Sequence, residues 1–151
     1  MSKTTIKANF NWNGEGDLLK RMNLQSGGRV QQVIDKSVID WNLQYCPWDT
    51  GTLAKSPYSA TEIGSGKVVY PGPYARYQYY GEVYGPNIPK EIDASGDVIQ
   101  WASPEKKYPT GRDINYSKDV NPLAGSYWFE RMKADHKEDI LREAKNAVRG
   151  K

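Results

Sequence analysis

The segment that most constrains the fold is residues 46–56, Cys-Pro-Trp-Asp-Thr-Gly-Thr-Leu-Ala-Lys-Ser, which we call the corner. Pro47 lacks a backbone N–H and disfavours helical geometry at the residue before it, so it ends an incoming helix. Asp49 is suited to accept a hydrogen bond from a backbone N–H two or three residues later. Gly51 adopts a positive φ without steric cost. These residues predict a rigid connection from a helix, through a short helical turn over residues 52–56, to a sheet.

Two long helices are predicted from apolar side chains that recur every three or four residues. The first runs from Arg29 to Tyr45, with Asp35 mainly off its apolar face, and the second runs from Tyr127 to Val148. Shorter elements are expected as helices at Leu18–Leu24 and Tyr74–Tyr80, and as strands at Thr4–Trp12, Tyr58–Ile63 and Lys67–Tyr70, the last two joined by a turn at residues 64–66. The pattern indicates a single α+β domain over residues 1–151, with the two long helices packed on a small, mostly antiparallel sheet.

A long loop excursion over residues 84–121 interrupts this pattern. The stretch from Pro86 to Pro122 carries five prolines, mixed charge and little periodicity. A hairpin is predicted from Ile92 to Trp101 around Ser95-Gly96, and a turn at residues 109–111. An excursion of this length is too long for a compact core, so we expect it to make contacts outside the domain. Partial disorder in the free protein is the alternative.

The composition predicts an extensive contact surface. Hydrophobic residues make up 38% of the 151 residues and the mean hydropathy is −0.79, both low for a compact globule. The chain has 11 tyrosines, and tyrosine is enriched at protein interfaces because it joins a large apolar ring to a polar hydroxyl. The candidates for such contacts are Tyr79, Tyr80, Tyr84, Trp101, Tyr108 and Tyr116.

Charge and cysteine content exclude some other classes. The net charge is +3 and no basic block stands out, which argues against a strong electrostatic grip on nucleic acid. A single cysteine excludes an intrachain disulfide and fits a reducing cytoplasm. No apolar run reaches the roughly 18 residues of a membrane span, so no membrane contact is expected.

No constellation of residues predicts catalysis, a cofactor or a metal. Cys46, Asp49 and His136 are a conceivable nucleophilic set, but one cysteine at the end of an amphipathic helix is typical of a buried structural thiol. The carboxylates near His136 share a helix face with basic residues, which is typical of a solvated surface with an exposed histidine rather than a metal site. The glycine-rich turns lack the Lys-Ser/Thr that follows in a phosphate loop.

Two further functions are weighed against this interpretation. The tyrosines from Tyr70 to Tyr84 are able to stack on single-stranded bases, although only Lys67 and Arg76 supply positive charge there. The Asp-Thr-Gly sequence at residues 49–51 also occurs in aspartic proteases, which need two such carboxylates. A hydrolase of that kind would therefore require a homodimer of this chain.

Three blocks of sequence resemble those of tailed-phage minor capsid and neck proteins. Residues 45–56 are similar to the family's Tyr-x-Pro-x-(Asp)-Thr-Gly-x-Leu-x-x-Ser block, in which the Asp is optional, and residues 73–81 to its Pro-Tyr-Ala-Arg-x-x-Tyr-Tyr-Gly block. Residues 121–133 resemble its closing Trp-Phe-Glu helix, and the order and spacing agree over about residues 30–144. The motif residues are Pro47, Asp49, Thr50, Gly51, Leu53, Ser56, Tyr74, Ala75, Tyr77, Gly81, Trp128 and Phe129.

The resemblance implies a structural, non-enzymatic subunit of the phage head–tail connector, or neck. Such a subunit forms a homo-oligomeric ring that joins the portal, adaptor or head-closure protein to the tail tube or tail-terminator protein. DNA passes through its lumen without sequence-specific binding. The protein is then made in the bacterial host cytoplasm and located in the virion. The close alternative is a tail-completion or tail-terminator subunit, and a nucleic-acid-binding module is the alternative of another class.

Overall fold

The computed structural model describes residues 4–7, 25–102 and 107–150. Within these ranges the chain forms β1 Thr4–Lys7, α1 Arg29–Asn42, α2 Thr52–Ala60, β2 Lys67–Tyr70, α3 Ala75–Tyr80, β3 Glu82–Gly85, β4 Ile88–Ile92, β5 Val98–Ala102, β6 Tyr108–Asp113 and α4 Trp128–Val148. The predicted α+β class is confirmed. The predicted helix at Leu18–Leu24, and the part of the first strand from residue 8 to Trp12, lie outside the described residues.

The described strands form antiparallel pairs rather than one continuous sheet. β1 pairs with β2, β3 with β6, and β4 with β5. In the first pair Thr4 lies opposite Tyr70 and Lys7 opposite Lys67. Burial alternates along β2, with Val68 and Tyr70 inside, because successive side chains of a strand point to opposite faces. Helices α1 and α2 pack on β2, so this pair forms the sheet of the core.

Helix α1 presents the predicted apolar face to the core and ends at Asn42, three residues earlier than predicted. Asp35, predicted to lie off that face, is fully buried. Its Oδ2 accepts hydrogen bonds from the N–H groups of Gly64 (2.7 Å) and Gly66 (3.1 Å), and its Oδ1 accepts one from Gln31 Nε2 (2.8 Å). These bonds satisfy the buried carboxylate and hold the turn before β2 against the helix.

Helix α2 is longer than predicted and replaces a predicted strand. We expected a helical turn ending at Ser56 and a strand from Tyr58 to Ile63, but the helix continues through Pro57 to Ala60. A proline inside a helix leaves the carbonyl four residues earlier without its backbone donor. Here the Ser56 hydroxyl donates to that carbonyl, on Leu53, at 2.8 Å. The residues at 64–66 therefore connect a helix to a strand instead of closing a hairpin.

Helix α4 packs along α1 and supplies the other half of the core. Trp128, Met132 and Ile140 are fully buried beneath α1 and β2. At the edge of the same interface, the Tyr45 hydroxyl donates a hydrogen bond to the Asp135 carboxylate at 2.6 Å. The predicted C-terminal helix is confirmed, and it begins one residue later than predicted.

Residues 82–102 and 107–113 form a long β-hairpin in two nested segments, which we call the arm. β3 pairs with β6 at its base, and β4 pairs with β5 toward its tip. The predicted hairpin around Ser95-Gly96 is confirmed. The predicted turn at residues 109–111 is wrong, because these residues lie within β6. Gly111 has φ +70 there and accommodates a shift in the pairing register.

Candidate functional site

The corner takes its shape from Gly51 and Trp48. Gly51 has the predicted positive φ, at +82°, and the Trp48 ring lies so close that a Cβ on Gly51 would come within 2.7 Å of it. The predicted hydrogen-bonding role of Asp49 is taken by Thr50, whose hydroxyl accepts weakly from the Thr52 N–H at 3.4 Å. The Asp49 side chain is exposed. The corner is therefore fixed by backbone conformation and packing, and its carboxylate is left at the surface.

The block at residues 121–133 holds the corner in place. Asn121 Nδ2 donates to the carbonyl oxygens of Leu43 (2.8 Å) and Cys46 (2.9 Å), and the Gly125 N–H donates to that of Tyr45 (3.2 Å). The last carbonyls of a helix and those just beyond it have no helical donors. Asn121 and Gly125 supply those donors, so the chain that leaves α1 is tied to the chain that enters α4.

The same block contacts the tyrosine-rich block at residues 73–81. The Tyr127 N–H donates to the Tyr79 carbonyl at 2.8 Å, and the Tyr79 hydroxyl donates to the Glu130 carboxylate. The Trp128 ring packs edge-on against Tyr79, with ring centroids 4.7 Å apart, and against Tyr70 at 5.3 Å. Burial, together with the Glu130 carboxylate, raises the pKa of Tyr79, so its hydroxyl remains a donor. We call this meeting of the three blocks the motif junction.

The corner also forms one wall of an open groove of about 600 Å³, the corner groove. A second wall is the segment from Pro71 to Ala75, and the third is residues 114–117. Apolar and aromatic side chains dominate the lining, among them Pro47, Trp48, Leu53, Pro73, Tyr74 and Tyr116. A groove of this size and character is typical of a binding site. The third wall could not be predicted, because residues 114–117 carry neither periodicity nor a motif.

The motif residues differ in exposure according to which of these features they serve. Gly51, Ala75, Gly81, Trp128 and Phe129 are buried; Pro47, Leu53, Ser56 and Tyr77 are half-buried; Asp49, Thr50 and Tyr74 are exposed. Trp128 packs at the junction, whereas Gly51, Ala75 and all of the half-buried and exposed members except Tyr77 line the corner groove.

The predicted contact residues separate into exposed and internal side chains. Tyr80 and Tyr108 are 52% and 66% exposed, and Tyr84 is half-buried against Tyr77. Tyr79 was predicted to be a contact residue, but its ring belongs to the core. Tyr116 is half-buried, and its hydroxyl donates to the Gln78 carbonyl. The side chain of Trp101 lies outside the described residues.

Two of the residues weighed for catalysis, Cys46 and His136, are buried or paired within the fold. The Cys46 thiol is fully buried, and burial raises its pKa to about 12, so the reactive thiolate is disfavoured. His136 was predicted to be exposed, yet it is half-buried and stacks on Trp41 at 3.9 Å between ring centroids. Its Nδ1 is paired with Asp139 at 3.0 Å. Among the described residues, no three His, Cys, Asp or Glu side chains are grouped to hold a metal ion.

Replacing Gly51 by valine is expected to lower the free energy of unfolding by about 2–3 kcal/mol. A β-branched residue is strained at φ +82°, and its Cβ collides with the Trp48 ring. Urea denaturation followed by circular dichroism measures the loss. Gly72→Ala is the matched control, because a Cβ there meets open space and its φ is not in the left-handed region. If both variants were as stable as the wild type, the account of the corner would be wrong.

Comparison of the chain with protein-family models, with curated proteins and with solved structures gave no match. None of the helices in the described part of the chain combines the length and apolar composition that a membrane span requires.

Proposed function

We propose that the chain is a non-enzymatic subunit of a tailed-phage neck. In this role it forms a homo-oligomeric ring between the portal or head-closure protein and the tail, and DNA passes through the lumen. The proposal starts from the resemblance of the three sequence blocks. The observation that carries it further is the motif junction, where the third block bonds directly to the first through Asn121 and Cys46, 75 residues apart, and to the second through Tyr127 and Tyr79, 48 residues apart.

This junction explains why three short motifs occur together in one chain. Each block supplies contacts that the other two lack, so the set builds one rigid unit that displays the corner groove and the arm. A site of this kind is suited to bind other subunits, and it does not bring together side chains of the kind that catalyse a reaction. The buried thiol of Cys46 and the paired ring of His136 agree with that interpretation.

The test is electron microscopy of virions of the phage that encodes the chain. Antibody raised against the chain should label the neck, and deletion of the gene should give free heads and free tails. Irregular tail lengths would instead assign the chain to the tail terminator. Virions without the label, or a deletion that leaves normal particles, would refute both assignments.

Complementation of that deletion separates assembly from hydrolysis. Asp49→Asn is nearly isosteric, and the side chain is exposed, so the variant should restore infectious particles as fully as the wild-type gene. Restored assembly with loss of a proteolytic cleavage would favour the hydrolase hypothesis.

The nucleic-acid-binding alternative has fewer accessible aromatic rings than the sequence suggests. Tyr70 and Tyr79 are buried, so two rings of the tyrosine-rich region are not free to stack on bases. Filter binding of single-stranded DNA should be weak and nearly independent of salt. Tight binding with a steep salt dependence would favour that alternative.

A further inference from the structure

The arm carries apolar side chains that the rest of the chain does not cover. Ile92 and Ile99 are 56% and 63% exposed, and β4 and β5 pack mainly on each other. From Pro86 to Gln100 every described side chain is exposed except Asp93 and Val98, which are half-buried. A two-stranded ribbon without a covering layer is only marginally stable in water. The arm therefore has the character of an element that is completed by contact with another surface.

The corner groove is a surface that matches the arm in chemistry. Its lining is apolar, and cationic side chains lie beside it. Lys55 is placed over the Trp48 ring at 5.2 Å, and Arg76 is exposed next to the groove residue Ala75. Carboxylates are also present, since Asp49 belongs to the lining and the hydroxyl of the groove residue Ser117 donates to Asp119, so the cation that the arm is able to meet at the groove wall is Lys55 beside Trp48.

The outer part of the arm, residues 86–102, carries a net charge opposite to that of the rest of the chain. Residues 86–102 contain Lys90, Glu91, Asp93 and Asp97, a net charge of −2. The whole chain has a net charge of +3, which leaves +5 on the remaining residues. Asp93 sits at the tip, where it accepts hydrogen bonds from the Ser95 hydroxyl and the Asp97 N–H. These hydrogen bonds lower the pKa of Asp93, so its carboxylate stays ionised at neutral pH.

The arm does not reach the groove of its own chain. Its base adjoins the groove, because the Ile114 N–H donates to the Gly81 carbonyl and Ile114 lines the groove. β4 and β5 then extend roughly 15 Å beyond the base, at about 3.3 Å per residue. Among the side chains that the structure describes between Pro86 and Gln100, none lines the groove. An apolar arm and an apolar groove that are held apart in one chain are able to meet between two chains.

We propose that the tip of the arm of one copy occupies the corner groove of a second copy, head to tail. Ile92 and Ile99 supply the apolar contact, and the acidic tip faces Lys55 of the second copy. A contact between two different surfaces repeats from copy to copy and closes into a ring when the rotation allows it. This inference deepens the proposed function and rests on it for the biological role of the ring.

The test measures self-association of the purified full chain by sedimentation velocity. The arm variant Ile92→Asp/Ile99→Asp and the groove variant Asn115→Trp both change exposed residues, so both should keep the wild-type circular dichroism spectrum. Each should weaken self-association by at least about tenfold in Kd. The control Val120→Asp/Val148→Asp makes the same change of charge at exposed apolar positions outside the arm, and should associate like the wild type.

Mixing the two variants tests the head-to-tail arrangement. The arm variant keeps an intact groove and the groove variant keeps an intact arm, so the mixture should form 1:1 pairs and nothing larger. The inference is overturned if the wild type stays monomeric up to about 1 mM. It is also overturned if the arm variant associates as tightly as the wild type, or if the mixture forms no pairs.

These outcomes are independent of the test of the proposed function. If the chain associates through the arm but is absent from virions, the contact between arm and groove is supported and the neck assignment is refuted. If antibody against the chain labels the neck but the arm variant associates like the wild type, the neck assignment is supported and the contact between arm and groove is refuted.

Discussion

Replacing Trp128 by alanine is expected to lower the free energy of unfolding by about 3–5 kcal/mol. The Trp128 side chain is fully buried where α4, Tyr70 and Tyr79 meet, so its loss leaves a cavity that the surrounding helices do not fill. A domain of this size is stable by only about 5–15 kcal/mol. The variant should therefore show a large decrease in the midpoint of urea denaturation, followed by circular dichroism.

The matched control is Trp128→Phe, expected to cost about 1–2 kcal/mol because a benzene ring keeps most of the contacts. Nε1 of Trp128 is buried and faces the Tyr70 hydroxyl without forming a hydrogen bond of good geometry. Removing that N–H in the phenylalanine variant therefore lowers the free energy of unfolding little further. An alanine variant that melted like the wild type would place Trp128 outside the core.

Replacing Asp35 by alanine is expected to cost about 2–4 kcal/mol, because the N–H groups of Gly64 and Gly66 then lose their acceptor. Gly64 is buried, so water does not readily replace the carboxylate there. Urea denaturation measures the loss, and hydrogen exchange at the two amides should become faster in the variant.

Asp35→Asn is the control that separates the hydrogen bonds from the charge. One carboxylate oxygen accepts from both glycines, so the asparagine oxygen is able to keep those two bonds. The amide of Gln31 then turns to accept from the asparagine NH₂. We expect a loss of about 1 kcal/mol, from weaker bonds to a neutral acceptor. Equal losses in the two variants would show that charge, rather than hydrogen bonding, holds the turn.

The parts of the fold that were predicted correctly depend on short stretches of chain. The two long helices follow from apolar side chains spaced along a few turns. The positive φ of Gly51 follows from the residue type and its neighbours in the corner. The hairpin around Ser95-Gly96 follows from a turn sequence between two strand-like runs.

The errors occur where a distant or unexpected partner decides the outcome. The segment after Pro57 stays helical because a serine hydroxyl replaces the missing backbone donor. Asp35 is buried because two glycines about 30 residues later donate to it. Tyr79 is internal because α4 covers its ring. A local pattern does not contain these partners.

The sequence by itself determined the α+β class, the corner and the positions of the long helices, because backbone conformation and periodicity are set by neighbouring residues. Only the tertiary structure decided that the three motif blocks meet, that residues 114–117 complete a groove, and that the excursion is an arm with uncovered apolar side chains. These features depend on contacts between residues far apart in the chain, and such contacts exist only after the core has formed.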